Sequence, residues 1–180
     1  DGITALAFLN TDIAASFALV TWLVIEWARS RKPKLVGVLT GSIAGLATIT
    51  PGAGYVPLWT APIIGIAASA FCYIAVEWKN KQQWDDAMDV WGVHGIGGFV
   101  GTILLGVFAT TAGNPNGADG LIAGQNSFFL KQVAATLLTA VYGFVFTYAI
   151  LWIINKVTPV RISEKEEIEG IDNAILGENA

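Results

Sequence analysis

Apolar residues in this chain fall in long uninterrupted runs. A half-buried strand would alternate, and a soluble helix would carry a narrow apolar stripe. Five runs, about 3–28, 34–50, 56–78, 89–109 and 129–155, can each span roughly 30 Å of hydrocarbon as helix, allowing for tilt and local thinning. Pro51 stops the second. Because the runs are continuous, a closed β-barrel is excluded. The expected fold is all-α, a polytopic membrane bundle of five transmembrane helices within 1–158, followed by a polar tail at 159–180.

The connecting segments alternate in charge. Arg29, Arg31, Lys32 and Lys34 fill the first, Lys79 and Lys81 the third, and Lys156, Arg161 and Lys165 follow the fifth run. The second has no Lys or Arg, and the fourth has none until Lys131. Basic residues resist translocation, so Asp1 is expected outside and the C-terminus in the cytoplasm. The chain opens on Asp1 and enters an apolar run at once, which reads as the back part of a longer polypeptide.

Composition agrees. Of 180 residues, 54% are hydrophobic and 13% charged, with mean hydropathy +0.58. A soluble domain carries about a quarter charged residues. Cys72 is alone, so no disulfide can form within the chain. Small residues mark expected packing seams: Gly37, Gly41 and Gly45; Gly65 and Ser69; Gly97 and Gly101. The fifth run, long, aromatic and β-branched, reads as a tilted helix against lipid.

His94 is the only histidine, and it lies inside the fourth run. An ionisable side chain within a span is a functional-site hypothesis, although donation to a neighbouring carbonyl would also explain it. At helical spacing Val90, His94, Gly98 and Gly101 share a stripe. That stripe suits the wall of a narrow apolar passage with one hydrogen-bonding stop. Asp12 would lie about 13 Å deep in the first span. Asp89 is placed to cap the fourth, and Glu26 and Glu77 to stand as solvated anchors. No serine–histidine–aspartate set, metal-ligand cluster or phosphate loop is present. An enzyme, a cofactor, a metal and a nucleic-acid partner are therefore not expected.

Asp89-Val-Trp-Gly-Val-His-Gly-Ile-Gly-Gly98 resembles the second-histidine signature of ammonium transporters of the Amt/Mep/Rh superfamily. Ala7-Phe-Leu-Asn-Thr11 is similar to the start of that family's seventh helix. Gly41 to Tyr55 resembles its eighth helix and following turn. Val160 to Asp172, with Gly177-Glu-Asn-Ala180, resembles its C-terminal tail. The resemblance covers the whole chain, in order. It implies helices seven to eleven of an eleven-helix inverted-repeat transporter, with helices one to six as missing partners. It further implies ammonium or ammonia as the solute, a homotrimer in the plasma membrane, and a PII-type signal protein at the cytoplasmic face. In residue terms it implies His94 as the second of two pore histidines. Val90 would be an apolar lining position, and Thr50 and Asn10 polar positions near the translocation unit. Gly170 and Asp172 would belong to a regulatory tail. Two residues depart from the pattern: Leu176 stands in place of a histidine, and Asp12 in place of an uncharged residue. A non-transporting sensor that keeps the fold is the alternative.

Overall fold

A computed structural model describes residues 1–32 and 34–177. The final residues of the tail motif, 178–180, fall outside the described residues. The chain divides within its fifth helix into Asp1–Leu137 and Leu138–Ala180.

In the first unit, α1 runs Gly2–Ser30. Asp1 caps it, accepting from the Thr4 N–H at 2.9 Å. Its buried face is Asn10, Ala14, Ala18, Trp22 and Glu26, one residue per helical turn. Helix α2 runs Leu35–Ile49 and α3 Ala61–Lys81, and the three pack together. The seam glycines lie where expected. A side chain added at Gly45 or Gly65 would meet the backbone carbonyl of Ala14. The Ser69 hydroxyl donates to the Ala18 carbonyl. In lipid, close approach of this kind replaces the hydrophobic drive of a soluble core. Glu26 departs from its expected solvated role. It is buried, accepts from the Lys34 N–H at 3.0 Å, and lies where Gly37 leaves room.

Helix α2 has 15 residues, hence about 22 Å of length, less than the run at 34–50 suggested. Among the described residues, four other helical segments are long and apolar enough to cross a membrane. The chain after α2 turns at residues 50–55 and forms a short 3₁₀ turn, Leu58–Thr60. Asn10 staples that turn to α1. Its Nδ2 donates to the Ala53 carbonyl at 2.8 Å and to the Val56 carbonyl at 2.9 Å. Asn10→Ala should therefore destabilise the bundle by about 1–3 kcal/mol, because two carbonyls lose their donor. Detergent-resistance or thermal-unfolding assays would show it.

The fourth apolar run is not one uniform helix. It begins with a π-helical turn, Trp91–Ile96, and continues as α4, Gly97–Phe108. The loop after α4 folds back upon it. The Leu121 and Ile122 N–H groups donate to the Gly106 and Val107 carbonyls, satisfying helix-end acceptors. The Thr111 N–H and hydroxyl both donate to Asp119, holding its carboxyl below the usual carboxylate range. Helix α5, Asn126–Ile154, is strongly apolar after Lys131 and Gln132, and Thr136 alone among its residues is buried. That pattern suits a helix facing lipid.

In the second unit, α6 spans Glu164–Glu169. Ser163 and Glu166 form a reciprocal capping box. The Ser163 hydroxyl, donating at 2.6 Å, lowers the Glu166 pKa. Gly170 has φ +97°, ψ 132°, a conformation glycine adopts without a Cβ penalty, and it separates α6 from a π-helical turn, Asp172–Leu176. Within this unit Ile168, Ile171 and Ile175 are exposed.

Candidate functional site: a histidine groove

The loop between α3 and the π-turn is built on one buried cation. The Lys79 Nζ donates to the Asp89 Oδ1 and to the Asp86 carbonyl, each at 2.6 Å. Lys79 is 4% exposed, so both acceptors help offset the cost of burying its charge. Trp78, Trp84 and Trp91 close over the same loop with ring centroids 4.8–5.5 Å apart.

The capping residue is not the expected one. Asp89 was placed to cap the fourth run, but its carboxylate is taken by Lys79 and its φ is +55°. Asp86 does the capping. Its two carboxylate oxygens accept from the N–H groups of Val90 and Trp91, each at 2.9 Å. Those are orphan donors at the helix start.

The π-turn reorganises the stripe read from sequence. A side chain at Gly92 would meet Val76 of α3, and one at Gly97 would meet Thr48 and Cys72. Those glycines are five residues apart, so an α-helix could not turn both into the same packed face, whereas a π-turn can. Gly101 faces the Thr48 backbone and is buried. It therefore does not share an open face with Val90, His94 and Gly98, as a uniform helix would have had it.

On the other side, His94 is exposed into a groove. Leu39, Thr40 and Ile43 of α2 form one wall, and Val90, Val93 and His94 the other, around about 400 Å³. Val90 is 51% exposed there. The Thr40 hydroxyl donates to the Val36 carbonyl at 2.9 Å and keeps its lone pairs available. The groove thus offers largely apolar walls with a hydroxyl and an imidazole, and Asp89, its carboxylate held by Lys79, at one edge. Among the described residues no three side chains of His, Cys, Asp or Glu are grouped to hold a metal.

Val90 and His94 are brought together. Thr50 and Asn10 are not. Thr50 is exposed at the far end of α2 and donates to the Leu46 carbonyl at 2.6 Å. Asn10 is fully buried beneath the following turn. Asp12 is exposed on α1. Gly170 and Asp172 lie in the second unit, at the C-cap of α6 and the start of the π-turn. Sequence reasoning takes Lys79 only as an orientation residue and Asp86 only as an acid preceding the fourth span. The available signal was spacing: an aspartate three before Asp89, and a lysine one helix-end earlier.

The Ammonium Transporter Family model matches residues 1–180. An ammonium transporter of Bacillus subtilis is 43% identical over 181 residues, covering 100% of this chain and 45% of the relative. One of Aquifex aeolicus is 41% identical, covering 98% and 41%. The crystal structure of Candida albicans Mep2 superposes with TM-score 0.84 at 36% identity, over 91% of this chain and 38% of that one. A structure named Sensor Amt Protein superposes at 0.83 with 25% identity, over 99% and 42%. The chain spans less than half the length of these relatives, and on its matched length and identity it belongs to the ammonium transporter family.

Proposed function

We propose that this chain forms one wall of a pathway for ammonium, as ammonium or as ammonia. The carrying observation is His94 in an otherwise largely apolar groove, held on a π-turn between fixed ends. Apolar walls disfavour a hydrated cation. A single imidazole gives a small neutral solute one hydrogen-bonding stop and can accept or return a proton. Helices one to six of the full-length protein would close the groove and supply the facing histidine. Val90 lines the passage. Thr50 and Asn10 support the outer end of the bundle, Asn10 by its buried hydrogen bonds.

The wider assembly follows from the same reading. The basic residues of 29–34, 79–86 and the tail support a cytoplasmic side for these segments, in the plasma membrane. The full-length protein assembles as a homotrimer. The tail, through Gly170 and Asp172, helps shape a regulatory surface met by a PII-type signal protein.

The similarity to Sensor Amt Protein favours a second reading, a sensor that keeps the fold. An ammonium pulse on proteoliposomes holding the full-length protein separates the two. Current or net uptake above protein-free vesicles supports transport. Ammonium binding without either supports the sensor.

A further inference from the structure

Resting on the reading of the groove as a pathway, we infer that Asp86 is the positioning residue for His94. It acts by fixing where the π-turn begins.

The direction in which His94 points depends on helical phase. A π-turn takes one more residue per hydrogen-bonded ring than an α-turn. Converting it to α-helix would rotate the residues before it by about 100° relative to those after it. The far end is pinned, because Gly97 and Gly101 lie against α2 with no room for a side chain. The near end needs its own pin, and Asp86 supplies it. One carboxylate oxygen holds the Val90 N–H and the other the Trp91 N–H. The carbonyl of the same residue receives Lys79 and the Asp89 N–H. Asp89, in a left-handed conformation, then starts the helix, its carbonyl accepting from the Val93 N–H at 2.9 Å. His94 is the residue after Val93, so its direction is set by two anchored ends. Asparagine at 86 would keep the shape of the side chain. It would also turn an NH₂ group toward an N–H donor and leave one acceptor for two amides.

The test uses the full-length transporter in proteoliposomes. Asp86→Asn should lower maximal ammonium flux about tenfold or more, since small misplacements of a working group are costly. The half-saturating concentration should stay within about twofold, because capture is not altered. Amide exchange should quicken at Val90 and Trp91 and stay unchanged in α1 and α3. A thiol introduced by His94→Cys reports direction without relying on flux. Its labelling by a small thiol reagent should slow about tenfold when Asp86→Asn is added. Flux restored by Asp86→Glu, whose carboxylate keeps both acceptors, would further support the inference. Unchanged flux, or labelling at position 94 that is unchanged or faster, overturns it. So does failure of both Asp86→Asn and Asp86→Ser to accumulate, which would place Asp86 in folding alone. If His94→Ala alone leaves flux intact, the reading of the groove falls first, visibly, with Asp86 untouched.

Discussion

Replacing His94 by alanine in the full-length protein should lower ammonium flux about a hundredfold or more, with no loss of folded protein. The size follows from what the imidazole does. It is the imidazole of a groove whose other lining includes Leu39, Ile43, Val90, the Thr40 hydroxyl and Asp89, whose carboxylate is already bound by Lys79. Removing a group that gives and takes a proton commonly costs 10²–10⁴-fold in rate. The fold should tolerate the change. His94 is exposed on the groove side, and the packed side of its turn is made by Gly92, Val93 and Gly97. Flux per folded protein, scored against size-exclusion yield, is the measurement. Wild-type flux in the alanine variant would mean that His94 is a bystander.

Gly101→Leu should have the largest effect on stability, about 3 kcal/mol or more. Adding bulk to a well-packed site costs roughly 1–3 kcal/mol even where neighbours yield. Here the neighbour is backbone. A side chain at 101 would run into the Thr48 carbonyl oxygen, with the Thr48 α-carbon only 3.1 Å away. Helix α2 cannot step back without disturbing Gly45 against Ala14 and Ala18. Full-length protein carrying this change should fail to accumulate as a monodisperse species. Gly54→Ala is the control, since its added carbon would meet Ile3 at an ordinary 3.5 Å. A stable Gly101→Leu protein would show that α2 and α4 are not held at that seam.

The helices were legible from sequence because lipid demands long apolar runs. Long apolar helices stand where the long apolar runs lie, the first as Gly2–Ser30 and the last as Asn126–Ile154. The seams were legible because Gly41 and Gly45, Gly65 and Ser69, and Gly97 and Gly101 each recur at helical spacing. The phase of the fourth span was not. Periodicity assumes 3.6 residues per turn throughout, and the π-turn at Trp91–Ile96 breaks that assumption at the site. Gly101, which sequence spacing puts both in a seam and on the His94 stripe, therefore lies on the packed side alone. Asp89 was chosen as cap because it adjoins the apolar run, yet Lys79 draws its carboxylate away. Glu26 was read as solvated because it neighbours Trp27 near a boundary. The close approach of α2 at Gly37 buries it instead. Each miss is a tertiary contact overriding a local rule.

The most direct test of the groove as a pathway is thiol modification of Val90→Cys in the full-length protein. Val90 lines the groove beside His94, and its replacement leaves the Asp86 hydrogen bond to its backbone intact. Native Cys72 is fully buried and gives little background. A small methanethiosulfonate would be applied to proteoliposomes, with labelling at position 90 followed by mass spectrometry and ammonium flux read in parallel. The pathway account predicts that flux falls in step with labelling and returns on reduction. Complete labelling with undiminished flux would contradict it.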